Sequence, residues 1–221
     1  MNKKSKSLRN LIQEKTMFVS RRIMSPVVGK TELAHERAKR AAEIIGRHSN
    51  GTRLLKVIAG EGAGDLHLYS MFDSMAHAGR ASMGIAGDSD MQALQAEREA
   101  NPAGVVSGPE VFRMLMGAPD ASNKASMQRI YEISRKNIPA AMGLMAELQE
   151  MIKDEPVTLL AGVPVVAAKM DVLTVSYGFK NMEALGDGID RIGLSDEFQE
   201  LVNRASDLGR LFEARGLLDI G

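Results

Sequence analysis

The sequence contains no cysteine, which excludes disulfide bonds, a thiol nucleophile and a metal held by thiolates. A chain without disulfides is typical of a reducing compartment, and we expect a cytoplasmic protein. Tryptophan is also absent, and there are only three tyrosines and six phenylalanines. The 15 methionines are interpreted chiefly as core residues, because methionine fills irregular apolar space.

An excess of one charge is missing too, because 28 basic residues balance 28 acidic ones. We therefore expect no nucleic-acid partner, since no broad positive field exists to attract a phosphate backbone. No apolar run approaches the roughly 18 residues that a membrane-spanning helix needs, so we expect no membrane contact. The basic amino terminus, with Lys3, Lys4, Lys6 and Arg9, is not followed by an apolar region, and a secretory signal is not expected.

An internal repeat is the strongest feature that is present. A pattern in the first half returns 107 residues later without a gap, and its paired positions are Leu66/Leu173, Phe72/Phe179, Met75/Met182, Gly79/Gly186, Ile85/Ile192, Gln92/Gln199 and Leu94/Leu201. A period of about half the chain predicts two copies of one αβ unit. We place the first repeat at residues 16–117, a linker at 118–125 and the second repeat at 126–221.

Residues 1–15 are interpreted as a flexible basic arm. In the alternative interpretation, Leu8, Leu11 and Ile12 dock as a short helix on a partner subunit.

The order of elements predicted in each half is β-α-β-β-α-β. In the first half the strands are 17–24, 54–59, 66–72 and 110–116, with a helix at 31–47 capped by Thr31 and a second helix broken near Gly87 and resumed from Asp88 or Ser89. In the second half the strands are 128–134, 159–167, 172–179 and 217–220, with helices at 139–153, 181–192 and 196–215. Pro164 inside a strand indicates an edge or a bulge.

This order defines a ferredoxin-like unit, which has an antiparallel sheet covered by two helices on one face. Two such units bury their open faces against each other. The predicted fold class is therefore α+β, with tandem duplicated ferredoxin-like repeats that form a pseudo-dimeric α+β barrel around a cavity.

The duplicated pattern resembles the dimeric α+β barrel superfamily, which includes antibiotic-biosynthesis monooxygenase-like and NIPSNAP-like domains. The resemblance covers residues 16–221 and is clearest at the triplets Phe72/Met75/Gly79 and Phe179/Met182/Gly186. Members include cofactor-free oxygenases, polyketide cyclases, lactone isomerases, haem-degrading enzymes and peroxidases. The resemblance implies a small, largely apolar ligand, and no catalytic motif of the superfamily matches this sequence residue by residue.

Alternation along the third strand of each half predicts which side chains face the barrel interior. Leu66, Leu68, Ser70 and Phe72 share the face expected under the helices, as do Leu173, Val175, Tyr177 and Phe179. The opposite face carries His67, Tyr69 and Met71 in the first half, and Thr174, Ser176 and Gly178 in the second.

His67 and Tyr69 are the predicted catalytic residues. A histidine exchanges a proton near neutral pH, and a tyrosine hydroxyl binds a carbonyl or enolate oxygen. In the structural alternative, His67 is merely satisfied by a neighbouring strand or exposed at an edge.

The predicted ligand-binding residues are Arg22, Met71, Arg113, Tyr131, Thr174 and Ser176. Arg21 and Arg22 must point to opposite faces of their strand, and one of them is expected to reach a substrate carboxylate or enolate. No histidines or carboxylates have the spacing of a metal site, and no cofactor is expected, although a lone histidine leaves haem open. The glycines from Gly60 to Gly64 link two strands and are interpreted as a hairpin loop rather than a phosphate cradle.

Two functions follow as hypotheses. The first is an enzyme that binds an apolar oxygenated molecule in the barrel, as a cofactor-independent monooxygenase or a polyketide-type cyclase. The alternative is a non-catalytic ligand-binding or self-assembly module of the same fold, which would form a homo-oligomer through methionine-rich helices. A ligand-sized cavity that reaches His67 favours the first hypothesis, and a barrel filled by side chains favours the second.

Overall fold

The structure, a computed structural model, describes residues 17–221, so the predicted arm at residues 1–15 lies outside the described residues. These residues form eight strands, β1 (Phe18–Pro26), β2 (Thr52–Gly60), β3 (Leu66–Phe72), β4 (Gly104–Met116), β5 (Ala125–Ile133), β6 (Thr158–Val166), β7 (Val172–Phe179) and β8 (Gly209–Asp219). They also form six α-helices, α1 (Thr31–Gly46), α2 (Met75–Gly87), α3 (Ser89–Ala100), α4 (Ile138–Met151), α5 (Met182–Gly188) and α6 (Asp196–Ser206). A 3₁₀ turn at Arg135–Asn137 precedes α4, and a π-helical turn at Ile189–Gly193 follows α5.

The eight strands close into one antiparallel barrel. The order around it is β1-β3-β2-β8-β5-β7-β6-β4, and the barrel closes because β4 also pairs with β1. Strands of the first and second halves meet twice, where β2 pairs with β8 and where β4 pairs with β6. The structure therefore confirms the mixed α+β barrel that the sequence predicts.

Helices cover the outer face of each half of the barrel and bury two separate cores. The first-half core joins Ala34 and Ile45 of α1 to Leu54, Leu66 and Leu94. The second-half core joins Leu148 of α4 and Phe198 of α6 to the outward side chains of β6 and β7. The predicted face assignment is therefore confirmed, because Leu66 and Leu68 pack under helices while Tyr69 and Met71 line the barrel interior.

Several local predictions agree with the structure. Strands β3 and β7 have the predicted bounds. The helical break is also correct, because the Asp88 carboxylate caps α3 by accepting a hydrogen bond from the Asp90 backbone N–H at 2.9 Å. Pro164 lies at a bulge, where the register between β4 and β6 shifts beside it.

Other boundaries differ from the prediction. The helix predicted at 196–215 ends at Ser206, and the segment from Gly209 is strand β8, which hydrogen-bonds to both β5 and β2. The barrel cannot close without a strand between β2 and β5, so tertiary pairing overrides the helical pattern of that segment. Thr31 is the first residue of α1 rather than its cap, and the preceding Lys30 makes no side-chain cap hydrogen bond.

Gly60, at the start of the β2–β3 hairpin, tests how closely β2 packs against β8, where the two halves of the chain meet. Gly60 has a φ of +83°, and an added Cβ would lie 2.1 Å from the Ala214 backbone oxygen. We expect Gly60→Ala to lower the free energy of unfolding by about 3 kcal/mol or more, as both backbone strain and a clash oppose the methyl group. Gly64, with a φ of +100° and open space around it, is the matched control. Gly64→Ala should cost about 1–2 kcal/mol, and equal losses in urea unfolding would contradict the proposed clash.

Candidate functional site

A cavity of about 110 Å³ lies inside the barrel. Its wall is largely apolar, with Val19, Leu55, Met71, Phe112, Met114, Leu160 and Leu217 among its lining residues. The polar side chains on the wall are Arg21, Arg53, Tyr69, Asp120, Asn123, Ser126, Gln128, Thr158, Thr174 and Ser176. A mostly apolar pocket with a few placed polar groups is the usual form of a small-molecule site.

A chain of hydrogen bonds crosses the wall of this cavity. The Tyr69 hydroxyl lies 3.2 Å from Nδ1 of His67 and accepts a hydrogen bond from Nε2 of Gln128 at 3.3 Å. The same amide nitrogen of Gln128 donates to Oγ of Ser176 at 3.3 Å. The network joins β3 to β5 and β7, so it links side chains from both halves of the chain around one hydroxyl group.

His67 is fully buried behind Tyr69 and does not line the cavity itself. Burial is the main cause that lowers its pKa to about 3, and the charges of Arg21 and Arg215 lower it further. The imidazole is therefore neutral at pH 7, and its Nε2 has no hydrogen-bond partner among residues 17–221. This lowered pKa does not favour proton exchange by His67 near neutral pH, because burial, and with it two guanidinium groups, opposes the imidazolium form.

The two arginines beside His67 each have a carboxylate partner. Arg21 forms an ion pair with Glu110 at 2.5 Å, and Arg215 pairs with Glu213. Burial would lower the pKa of Arg21, but Tyr69 and Glu110 together raise it above its ordinary value. Arg21 thus brings a permanent positive charge to the cavity wall next to Tyr69.

The linker between the halves covers one end of the cavity. Its residues Pro119, Asp120 and Asn123 belong to the cavity wall. Arg53 of β2 holds the linker by donating hydrogen bonds to the backbone oxygens of Asp120, at 3.0 Å, and of Asn123. Asn123 in turn donates from Nδ2 to Oγ1 of Thr158 at 2.8 Å, which fixes the linker to β6.

The structure brings four of the predicted site residues together on the cavity wall: Tyr69, Met71, Thr174 and Ser176. Three others lie elsewhere. Arg22 lines a different cavity, on the helix side of the sheet, while its neighbour Arg21 points into the barrel. Arg113 is exposed between two interior side chains of β4, and Tyr131 packs into the second-half core. In each case, strand alternation places the side chain on the outer face.

Sequence reasoning missed several residues of the site. Gln128 is the most informative, because it is buried and donates to Tyr69. Alternation on β5 groups Ser126 with Gln128 and separates both from Tyr131, but only the structure shows that the first pair faces inward. Arg53 and Asn123 carry no such signal, because their contacts depend on where the linker crosses the barrel end.

The same geometry bears on whether the site could hold a metal or a haem. Residues 17–221 contain no group of three or more potential metal-ligating His, Asp or Glu side chains. No imidazole lines the cavity, since His67 lies behind Tyr69 and the remaining histidines lie in or directly after helices α1 and α2. The described residues around this cavity therefore do not fit a haem. Across the described part of the chain, no helix is long and apolar enough to cross a membrane.

Solved structures share this fold at low sequence identity. A proposed monooxygenase from Fusobacterium nucleatum subsp. nucleatum matches with a TM-score of 0.65 and 6% identity, covering 95% of this chain and 94% of that one. An anthrone oxidase-like protein matches with a TM-score of 0.63 and 9% identity, covering 95% and 93%. A variant chlorite dismutase from Candidatus Nitrospira defluvii matches with a TM-score of 0.53 and 8% identity, covering 96% and 94%.

No protein-family model matches the sequence, and no curated protein matches it either. The structural likeness nevertheless extends over nearly the whole of each chain. The comparison therefore defines the class of protein by its fold alone: an α+β barrel shared with proposed monooxygenases and with an anthrone oxidase-like protein. At such low sequence identities the comparison shows the fold only, and the reaction must be inferred from the residues of the site.

Proposed function

We propose that this protein is an enzyme that binds a small, largely apolar oxygenated molecule inside the barrel and stabilises its enolate or phenolate form. The observation that carries the proposal is the hydrogen-bond network in which Tyr69, Gln128 and Ser176 line a largely apolar cavity and His67 contacts Tyr69 from behind. A polar group placed in such a wall orients a ligand by hydrogen bonding to its oxygen.

The directions of the hydrogen bonds suit Tyr69 as a donor to the ligand. Gln128 donates to the Tyr69 oxygen, and neutral His67 donates to it as well when its Nδ1 carries the proton. The tyrosine oxygen then accepts two hydrogen bonds, and its own proton remains for a ligand oxygen. Arg21 stabilises negative charge that develops there, since its side chain lines the same wall. In this proposal His67 orients Tyr69 and does not act as a base at neutral pH.

A cofactor-independent monooxygenase or a polyketide-type cyclase is the reaction class we favour. Oxidation of a CH2 group next to an enolisable carbonyl to C=O by dioxygen releases one water, so its atoms and electrons balance without a reductant. The likeness to an anthrone oxidase-like protein and to proposed monooxygenases supports this choice. The alternative function is a non-catalytic ligand-binding or self-assembly module. It is supported by the complete burial of His67, which keeps this side chain from direct contact with a ligand.

We also infer that the chain arose by duplication of a ferredoxin-like unit. Around the barrel, the first half contributes its strands in the order β4-β1-β3-β2 and the second half follows in the matching order β8-β5-β7-β6, both read in the same direction around the closed sheet. The helix caps support the inference, because Ser74 and Asn181 occupy equivalent positions and each accepts a backbone hydrogen bond. The NIPSNAP likeness, a cytoplasmic location and a homo-oligomer remain predictions.

Removing the Tyr69 hydroxyl is the direct test of this function. We expect the unmodified protein to be stabilised thermally by members of a panel of phenols and cyclic diketones, and to consume dioxygen with the best of them. Tyr69→Phe should reduce turnover by about 100-fold, which is typical for loss of one donor to a developing oxyanion. An oxygen electrode and product mass spectrometry measure the reaction.

Tyr131→Phe is the matched control for this test, because it deletes the same atom from a tyrosine that packs in the second-half core. It should retain full turnover. If Tyr69→Phe reacts as fast as the unmodified protein, the proposed role of the hydroxyl is wrong. Binding of the panel without any turnover would instead favour the ligand-binding module.

A further inference from the structure

A second cavity, of about 160 Å³, lies on the other side of the sheet in the first half. It lies between the outer face of β1 to β4 and the helices α1 to α3. Its apolar lining consists of Ile23, Met24, Ala38, Ala41, Ile45, Leu54, Leu66, Leu68, Ile85, Met91, Leu94 and Val106. Three arginines, Arg22, Arg37 and Arg98, complete the wall with Gln95 and Gly108, and this described lining includes no Asp or Glu.

No carboxylate in the described wall balances these three positive charges, although Arg37 is close enough to Glu97 to help lower the pKa of that carboxyl. Among the ion pairs found within residues 17–221, none involves Arg22, Arg37 or Arg98. Arg37 donates instead to the backbone oxygens of Asn101, at 2.6 Å, and Glu97, at 3.1 Å, which satisfies carbonyls at the end of α3. Nη1 of Arg22 and Nε of Arg37 are buried without a hydrogen-bond partner in the described chain.

A buried guanidinium group without a counter-charge is unfavourable, and proteins normally pair it or expose it. Burial accordingly lowers the pKa of Arg22, and burial together with the charge of Arg37 lowers the pKa of Arg98. A carboxylate entering the cavity would satisfy the free N–H groups with charge-assisted hydrogen bonds. The planar guanidinium group is also suited to carboxylates, since it offers two parallel donors.

We propose that this arginine cavity is a second binding site, which takes an organic anion made of a carboxylate on a small apolar body. The carboxylate lies at Arg22 and Arg37, which hold the unpartnered donors, with Arg98 at the rim, and the apolar body packs against the leucine, isoleucine and methionine side chains of the lining. An inorganic anion would meet the same charges but would leave this apolar surface unused. Arg98 and Gln95 are partly or fully exposed, so the ligand enters beside α3.

The arginine cavity is separate from the barrel cavity, although the two lie back to back across β1. Arg21 and Arg22 are adjacent in sequence, yet Arg21 lines the barrel cavity and Arg22 lines the arginine cavity. The proposal is therefore independent of the proposed function, and it can fail while the enzyme hypothesis stands. Tyr69→Phe, which alters only the barrel cavity, should leave binding in the arginine cavity unchanged.

Calorimetric titration of the full chain with octanoate and with benzoate tests the proposal and distinguishes a fatty acid from an aromatic acid as the class of ligand. At least one of the two should bind to the unmodified protein and raise its melting temperature. Arg22→Met should weaken that binding by about tenfold or more, because hydrogen bonds to a charged partner are lost. The same variant should unfold at an equal or higher temperature without ligand, since a half-buried guanidinium group without a carboxylate partner is replaced by an apolar side chain.

Arg98→Met gives a second variant at the rim, where folding is little affected, and it should weaken binding in the same direction. Arg80→Met is the matched control, because Arg80 is an exposed arginine of α2 outside the cavity lining, and its affinity should equal that of the unmodified protein. The neutral alcohols 1-octanol and benzyl alcohol should bind at least about tenfold more weakly than the acids. The proposal is overturned if neither acid binds, if both cavity variants bind as tightly as the unmodified protein, or if inorganic phosphate competes as well as the acids do.

Discussion

Between pH 6.5 and pH 4 the unmodified protein is expected to lose about 3 kcal/mol more of its free energy of unfolding than a His67→Asn variant loses. The pKa of His67 is about 3 in the folded chain, against 6.5 for an ordinary histidine. Below pH 6.5 the His67 imidazole therefore binds a proton in the unfolded chain but not in the folded chain. Stability rises with pH wherever the unfolded state binds more protons, so it falls as the pH falls through this window and the loss is complete only near pH 3.

Urea unfolding at half-unit steps of pH measures this difference. Asparagine keeps a polar atom near the position of Nδ1, which lies 3.2 Å from the Tyr69 hydroxyl, but it does not titrate. His77→Asn serves as the control, because His77 lies in α2 and packs against the Phe72 ring outside the barrel. Carboxylates contribute to acid unfolding equally in all three proteins. Parallel pH profiles for the unmodified protein and His67→Asn would show that the buried histidine titrates normally.

The second large effect is expected at Arg53. Arg53→Met should lower the free energy of unfolding by about 2–3 kcal/mol, because it breaks the ion pair with Asp219 and releases the linker. The side chains of Arg53 and Asp219 are 19% and 10% exposed, so their 2.8 Å contact is shielded from water. Lys124, at 3.5 Å from Asp219, remains as a partial replacement and keeps the loss below that of a wholly isolated charge. Denaturant unfolding measures the change.

Arg210→Met is the matched control for Arg53, since Arg210 pairs with Glu132 on the surface with 73% and 39% of the two side chains exposed. It should cost less than about 1 kcal/mol. The double variant Arg53→Met/Asp219→Asn should recover part of the loss, because it removes the unpaired carboxylate as well. If Arg53→Met lowers the free energy of unfolding no more than Arg210→Met does, the role assigned to Arg53 in holding the linker is wrong. A released linker should also speed ligand dissociation from the barrel cavity.

Much of the fold is determined locally, and those parts were predictable. Strand β3 alternates between apolar residues and the set His67, Tyr69 and Met71, and period-two alternation alone assigns the two sets to opposite faces. The break between α2 and α3 was predictable for a similar reason, because Asp88 follows a glycine and caps a backbone N–H two residues on. Signals of this kind arise within a few residues and do not depend on distant contacts.

The composition of the site was only partly predictable. Alternation requires that Arg21 and Arg22 face opposite sides of β1, but it does not say which side is the barrel interior. The structure assigns Arg21 to the interior, beside Tyr69 and Glu110, and Arg22 to the helix side. Tyr131 was assigned to the wrong face for the same reason, because the register of β5 is set by its neighbours β7 and β8.

By itself, the sequence determined the mixed αβ composition, the bounds of β3 and β7, and the polar character of one face of each, since these depend on residue type and spacing. Only the tertiary structure decided that the last strand begins at Gly209 rather than at Leu217, because hydrogen bonds to β2 and β5 outweigh the helical pattern predicted up to Arg215. It also decided that Gln128 meets Tyr69 and that the linker covers the cavity. Those contacts join residues far apart in the chain, and their geometry exists only after the barrel has closed.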